Sequence, residues 1–265
     1  MDEAMTNMQR VNAELKRRRD QNDVRSKYLL TESDNDIPVN YVKDDPEELK
    51  MELSSNGKGT IFVSFHTLSY FYLFFLMDKW NFRVNCIVVD TILRRFSEWG
   101  YQPPSGVTLD MHLDKQAIKE LIGNKRSLFI MADVLFPHAV NHAIWIKEKI
   151  TRYTIMWAEL AMRYDLNVVA LFIKDKGDAF DLFASQIRSD DGTPYDLACN
   201  MFAAFETFLG ADTDLWENFP NVDILGFPIK YPEGAEGEDM TPLIDFLGSA
   251  GLGTARSLRA LPYRN

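Results

Sequence analysis

The sequence has only two cysteines, Cys86 and Cys199, among 265 residues. Two cysteines can form one disulfide at most, so a framework of several disulfides is excluded. Each cysteine lies in an apolar neighbourhood. The pattern instead predicts two buried free thiols that act as small core residues in a reducing compartment.

Long apolar runs are also missing. The longest, residues 65–77, includes Ser and Tyr, and it is shorter than the roughly 20 residues that a bilayer-spanning helix needs. The N-terminal stretch "MDEAMTNMQRVNAELKRRRDQ" carries charge throughout and lacks the apolar core of a signal peptide. We therefore expect a soluble, cytoplasmic protein without a transmembrane segment.

An excess of positive charge is absent as well, since 39 acidic residues outnumber 29 basic ones and the net charge is −10. This balance argues against nucleic acid as a partner, and an anionic membrane surface would on average repel the chain. The hydrophobic fraction of 46% is enough for a sizeable core.

The composition divides the chain into three parts. Residues 1–45 are predicted to be a charged N-terminal extension, with a short helix followed by an extended arm. Residues 46–220 are predicted to form an α/β core. Residues 221–265 are rich in Gly and Pro and are predicted to be an irregular segment that packs on the core.

Strand-like and helical segments alternate in the core. Strand-like runs occupy residues 60–65, 84–89, 127–132, 168–173 and 180–187. Helical spacing occupies residues 67–80, 91–100, 114–124, 151–167 and 194–210. Continuously apolar strands separated by helices are typical of an α/β fold, with a mostly parallel central sheet flanked by helices on both faces. The last strand is predicted to be antiparallel, because a turn precedes it.

Polar residues follow four of these strands directly. His66, Asp90 and Asp133 come after the first, second and third runs, and Lys174 and Asp175 come after the fourth. Because parallel strands end at one edge of a sheet, we expect these side chains to lie close together. A histidine and two carboxylates can form a general base and the acid that orients it. The alternative interpretation is that Asp90 and Asp133 cap helices and that His66 is a buried packing residue.

The stretch "NGKGTIFVSFHTLSYFYLFFLMDKWNFRVNCIVV" resembles the lysophospholipid acyltransferase superfamily, specifically its lipid A late-acyltransferase branch. That branch has a strand that ends in a His-x4-acid motif, then a helix and a second strand. Later segments, such as "LIGNKRSLFIMADV" and "MFAAFETFLGADTDLWENF", resemble the family in order and spacing over roughly residues 55–220. The resemblance implies an acyltransferase-like fold in which His66 deprotonates an acceptor that attacks an acyl thioester.

The acid of that motif is absent, because Phe71 occupies its position. Asp78 is the next acid along the chain, but twelve residues of helix span about 18 Å, which is too far. Asp133 or Asp90 is therefore the candidate replacement for the orienting acid. Ser69 and Tyr70, one turn from His66, are candidates to hold the imidazole by a neutral hydrogen bond.

The resemblance also implies the partners. The acyl donor would be a thioester of coenzyme A or of a phosphopantetheinyl acyl or peptidyl carrier protein, and no tightly bound cofactor is expected. The acidic balance disfavours a polyanionic lipid acceptor, so we expect a hydroxyl or amine of a small or carrier-bound molecule, in specialised metabolism. Lys147, Lys149 and Arg152 form a basic cluster that suits an acidic carrier or a phosphate; the alternative is a solvated face.

His138 and His142 are four residues apart in "HAVNH", but two ligands do not complete a zinc site and no Glu lies between them. We expect no metal site and interpret both histidines as loop residues near the mouth of the substrate site, with His138 as a candidate substrate-binding residue. A second function hypothesis is a catalytically degenerate scaffold that binds an acyl chain or a carrier protein. Phe71 favours the scaffold hypothesis, whereas a polar histidine at a strand end disfavours it.

Overall fold

A computed structural model describes residues 7–31, 37–88, 90–110, 115–124, 126–133, 141–147, 149–220 and 227–228. The strands within these ranges are β1 Val39–Tyr41, β2 Thr60–Ser64, β3 Val84–Ile87, β4 Val107–Asp110, β5 Ser127–Met131, β6 Asn141–Ile146, β7 Lys149–Thr154, β8 Asn167–Asp175, β9 Phe180–Gln186 and β10 Phe227–Pro228. The helices are α1 Asn7–Thr31, α2 Pro46–Ser55, α3 Tyr72–Lys79, α4 Asp90–Trp99, α5 Lys115–Gly123, α6 Met156–Tyr164 and α7 Pro194–Leu209, and a 3₁₀ turn, Thr213–Leu215, follows α7.

The central sheet has seven strands in the order β1-β9-β8-β2-β5-β3-β4. Strands β8, β2, β5, β3 and β4 run parallel to one another, whereas β9 runs antiparallel to β8. The predicted α/β fold with a mostly parallel sheet and an antiparallel β8–β9 hairpin is confirmed.

Strand β2 lies in the middle of the sheet, and all five of its residues are buried. Ile61, Val63 and Phe65 belong to the core layer that includes residues of α6 and α7, and Phe62 belongs to the layer that includes residues of α3 and α4. Burial on both faces explains why this strand is continuously apolar rather than alternating. It also places the end of β2 at the centre of one edge of the sheet.

Aromatic packing fixes the segment that follows α7 above this edge. The rings of Phe65 and Phe205 are stacked with centroids 3.8 Å apart, and Trp216 packs against Phe205 at 5.1 Å in a T-shaped pair. Buried aromatic pairs of this kind each add about 0.5–1.5 kcal/mol beyond their buried area. The indole of Trp216 is therefore held next to the end of β2.

A second, three-stranded sheet contains β6, β7 and β10. Residues 151–154 were predicted as the start of a helix, but they belong to β7, and the helix starts only at α6. His142 lies on β6 and not in a loop, which corrects that prediction as well. The helix prediction for residues 151–154 was wrong because the helical spacing of α6 continues by chance into "KITRYT", a strand that contains β-branched residues.

The N-terminal helix α1 is 25 residues long, which is longer than the short helix predicted. Its buried face combines apolar residues at both ends with polar residues in the middle: Val11, Leu15, Arg18, Asn22, Ser26 and Leu29. Strand β1 occupies the region predicted as an extended arm and pairs with β9 at the edge of the sheet. The predicted C-terminal segment, residues 221–265, lies outside the described residues except for β10.

The two cysteines are free, as predicted; Cys86 is buried and Cys199 half-buried. Burial raises the pKa of the Cys199 thiol to about 11. Among the described residues, no helix is both long enough and apolar enough to cross a bilayer.

Candidate active site

His66 and Asp133 meet at the edge of the central sheet. Strands β2 and β5 are parallel neighbours, with Ser64 paired to Met131. The residues two positions beyond these strand ends therefore lie side by side, and His66 Nδ1 is 2.7 Å from Asp133 Oδ1. The structure places Asp133 in the position required of an orienting acid; the catalytic roles of both residues stay predictions.

Asp133 is completely buried, and its carboxylate accepts four hydrogen bonds. In addition to the contact with the His66 ring, its Oδ2 accepts from the His66 backbone N–H at 3.1 Å, from Trp216 Nε1 at 2.7 Å and from Asn218 Nδ2 at 3.0 Å. Burial on its own would raise the pKa of Asp133, but the charge of His66 and the donors from His66, Trp216 and Asn218 lower that pKa below its usual value. The carboxylate is therefore held as an anion in one orientation.

One-fifth of the His66 side chain is exposed. Because a carboxylate can only accept, Nδ1 carries the proton in the contact with Asp133, and the lone pair of the neutral ring is on Nε2. The described residues provide no hydrogen-bond partner for Nε2. A partly exposed ring with a free Nε2 is the arrangement that a general base requires.

Several charges act on the basicity of His66. Burial would lower the pKa of His66, but the charge and the hydrogen bond of Asp133, together with the charge of Glu217, outweigh burial and the opposing charge of Arg19. The net result is a pKa above the ordinary 6.5 of histidine. The site therefore stabilises the imidazolium that forms when the ring takes up a proton.

The segment 216–218 was not predicted as part of the site. Trp216 and Asn218 bond Asp133, and the backbone N–H of Glu217 donates to the His66 carbonyl at 2.7 Å. The carboxylate of Glu217 pairs with Arg19 Nε of α1 at 2.9 Å. The one available signal in the sequence was a tryptophan between acidic residues in "TDLWEN", and neither strand nor helix periodicity points to it.

Ser69 does not hold the imidazole, which corrects the prediction. Its hydroxyl donates to Asp175 Oδ2 at 2.6 Å, and its backbone N–H donates to Asn22 Oδ1 at 2.7 Å. Ser69 is fully buried and has a positive φ of 67°, so the chain turns sharply here between β2 and α3. Tyr70 contacts His66 through a T-shaped ring pair with centroids 4.9 Å apart, not through the predicted hydrogen bond, which does not occur among the described contacts.

Phe71 occupies the position of the missing motif acid and is 1% exposed. Its ring packs against Tyr70 at 4.1 Å, Phe96 at 5.0 Å and Trp99 at 6.0 Å. This side chain belongs to the core layer that contains α3 and α4. The position is thus a packing site, and the carboxylate that contacts His66 comes from the neighbouring strand instead.

The other predicted residues are not brought to His66 by the described contacts. Asp90 is the first residue of α4, and its side chain, like the whole of His138, lies outside the described residues. Lys147 lies in the β6–β7 turn and donates to the Gly210 carbonyl just beyond α7.

The other two members of the predicted basic cluster lie on β7. Lys149 begins this strand. The backbone of Arg152 pairs with Ala143 of β6, and its side chain is outside the described part. A role of these basic residues in docking a carrier stays a prediction.

A cavity of 360 Å³ lies between α4, the following loop and β4, and is lined by residues that include Leu93, Phe96, Tyr101 and Leu109. Within the described part of the chain, no hydrogen bond, ion pair or ring contact joins its lining residues to His66 or Asp133. In the described ranges, no group of three or more His, Cys, Asp or Glu side chains is arranged to hold a metal ion.

Neither a scan against known protein families nor a search of curated proteins finds a match for this chain.

Proposed function

We propose that the protein is an acyltransferase that moves an acyl group from a thioester of coenzyme A or of a carrier protein to a hydroxyl or amine. The acceptor would be a small molecule or a carrier-bound one. The observation that carries the proposal is the 2.7 Å contact between the partly exposed His66 and the buried Asp133. The resemblance of residues 55–220 to the lysophospholipid acyltransferase superfamily supports the choice of an acyl thioester as donor.

In the proposed reaction, His66 Nε2 accepts the proton of the acceptor O–H or N–H while the acceptor heteroatom attacks the thioester carbonyl carbon. The new C–O or C–N bond forms and the carbonyl π electrons move to oxygen. When the carbonyl re-forms, the C–S bond breaks and the imidazolium returns its proton to the departing thiolate. The products are an ester or amide and a free thiol.

Asp133 has two tasks in this reaction. It accepts the hydrogen bond of the Nδ1–H, which holds the proton on Nδ1 and the lone pair on Nε2 before proton transfer. It also stabilises the imidazolium, because a fixed anion 2.7 Å from the ring favours the charged form. The donors from Trp216 and Asn218 keep the carboxylate in place, so Asp133 supplies from the adjacent strand what the family's acid supplies from the motif.

The test measures free thiol released from long- and medium-chain acyl-CoA and from acylated carrier protein, with pools of small alcohols and amines as acceptors. Wild-type protein is compared with His66→Ala and with His142→Gln, a variant of the partly buried histidine on β6. We expect acceptor-dependent thiol release by wild type and His142→Gln, and at least about 10³-fold less by His66→Ala.

Equal release by wild type and His66→Ala would contradict the proposal. Binding of an acylated donor without any release by the wild type would support instead the hypothesis of a degenerate scaffold that binds an acyl chain or carrier protein.

A further inference from the structure

A buried guanidinium in the N-terminal helix holds the segment that supplies Trp216 and Asn218. Arg18 is 4% exposed, and Nη1 donates to the carbonyl oxygens of Thr213 at 2.9 Å and Trp216 at 2.8 Å. Nη2 donates to Asp214 Oδ1 at 2.8 Å. Three bonds to one short turn use the fixed fork of an arginine, which lysine does not have.

The turn held by Arg18 bears directly on the His66–Asp133 pair. Trp216 and Asn218 donate two of the four hydrogen bonds that Asp133 accepts. The Glu217 N–H between them donates to the His66 carbonyl. A displacement of residues 213–218 would therefore release Asp133 and the backbone of His66 together.

Asn22, one turn further along α1, binds the segment that follows His66. Asn22 Oδ1 accepts the Ser69 N–H at 2.7 Å, three residues beyond His66, and also accepts the Ser26 hydroxyl at 3.1 Å. Successive buried residues of one helix thus bind the two segments that meet at the pair, residues 66–70 and 213–218.

We infer that Arg18 is a positioning residue for the His66–Asp133 pair, and that α1 is part of the site rather than an appendage to the core. This inference rests on the proposed function of the pair in proton transfer. Burying an arginine is costly unless its hydrogen bonds are satisfied. The apolar residues Val11, Leu15 and Leu29 already dock the helix, so docking alone would not require polar side chains in the middle of the stripe.

The experiment compares Arg18→Met, Arg18→Lys and Leu29→Ala in the full chain. Leu29→Ala removes a fully buried apolar contact of the same helix but leaves the bonds from Arg18 and Asn22. The pKa of His66 is measured by NMR titration of its ring protons, assigned by comparison with His66→Ala, and Tm is measured alongside. The titration does not depend on any acyl donor.

We expect Arg18→Met to move the midpoint of the His66 titration toward 6.5. Water that enters beside Asp133 would hydrate the imidazolium and would also screen the charge of Asp133, so the effects that move the pKa of His66 away from 6.5 become smaller. Arg18→Lys should lie between wild type and Arg18→Met, and Leu29→Ala should lower Tm without changing the midpoint. With an active donor and acceptor, kcat should fall at least about tenfold in Arg18→Met while KM changes less than threefold.

An unchanged His66 midpoint in Arg18→Met, or an equal change in Leu29→Ala, would overturn the inference. If instead the midpoint moves as expected but wild type shows no acyl transfer, then the positioning role stands and the proposed function fails. The two ideas can therefore fail separately.

Discussion

Two carboxylates stand on either side of β2, the buried Asp133 and the half-buried Asp175, and they differ in what they bind. Asp133, after β5, accepts the ring N–H of His66. Asp175, at the end of β8, accepts Arg25 Nε at 2.7 Å and Nη2 at 3.1 Å, the Ser69 hydroxyl at 2.6 Å and the Gly177 N–H at 2.8 Å. Both carboxylates have a lowered pKa, although burial would raise each of them.

The difference lies in the partner. The guanidinium of Arg25 stays charged at every pH at which the protein folds, so its pair with Asp175 is a permanent structural link between α1, β8 and the turn at Ser69. An imidazole, unlike a guanidinium, can both take up and release a proton in the pH range of a folded protein, so in our proposal the pair of His66 with Asp133 can take part in proton transfer. Carboxylates near the ends of the two strands that flank β2 thus serve structure on one side and, in our proposal, chemistry on the other.

The largest expected effect distinguishes the two carboxylates by activity. In Asp133→Asn, the amide can present a donor to Nδ1 and favour the wrong tautomer, so we expect thiol release to fall about 10³–10⁴-fold. In Asp175→Asn, release per folded molecule should fall less than about tenfold. Rates are measured at saturating donor, with the folded fraction of each variant determined by circular dichroism.

A similar loss of turnover in both variants would show that Asp133 has no role in the chemistry beyond that of Asp175. The comparison between a structural and a catalytic carboxylate would then be wrong.

The second prediction concerns the position of the missing acid. Phe71→Asp creates the His-x4-acid spacing of the superfamily that the sequence resembles, but it puts a carboxylate among buried aromatic rings. We expect it to lower the free energy of unfolding by at least about 4 kcal/mol and to leave activity no higher than in the wild type. Urea unfolding and thiol release measure the two quantities, and Phe71→Leu serves as the control, with a loss of about 1–2 kcal/mol.

An increase of turnover in Phe71→Asp would contradict the account, because it would mean that the motif position still reaches His66. The residue would then not be committed to the core.

The third prediction weakens the structural link. Arg25→Met leaves the half-buried Asp175 without its cation, and we expect a loss of about 1–3 kcal/mol at pH 7, since Arg25 is itself partly exposed. The folded-state pKa of Asp175 lies below its unfolded value, so its stabilisation is present at neutral pH and is lost as pH falls through the folded pKa. The difference between wild type and variant should therefore shrink below about pH 4.

Urea unfolding at pH 7 and pH 3 measures this difference. Lys58→Met is the matched control, because its ion pair with Asp165 is exposed and should contribute less than about 0.5 kcal/mol. A loss that stays the same at both pH values would show that Arg25 stabilises by packing and not through Asp175.

The sequence predicted the core fold and the meeting of His66 with Asp133 for the same physical reason. Parallel strands buried on both faces leave a continuous apolar signal, and their shared edge determines which polar residues become neighbours. No motif spacing was needed for this, since His66 and Asp133 are 67 positions apart.

The sequence did not predict α1 or segment 216–218 as parts of the site. The buried face of α1 contains Arg18, Asn22 and Ser26. The hydrophobic periodicity of the helix is therefore interrupted where these side chains bind the polar backbone groups of the turns at residues 69 and 213–216. Trp216 and Asn218 reach Asp133 from an irregular turn, whose conformation is determined by the aromatic packing of Phe205 and by the bonds from Arg18. Such contacts depend on tertiary structure and leave no local periodic pattern.

The most direct test of the central claim, that Asp133 orients and charges a catalytic His66, is the pH dependence of kcat/KM for thiol release by wild type and Asp133→Asn. The base must be neutral, so the wild-type rate should rise with pH through a midpoint above 6.5, because Asp133 raises the pKa of His66. In Asp133→Asn, only the charge of Glu217 still opposes burial and the charge of Arg19, and burial is the largest of these effects, so the midpoint of the residual rate should fall below 6.5. The same midpoint in both proteins, or a rate independent of pH between about 5 and 9, would contradict the account.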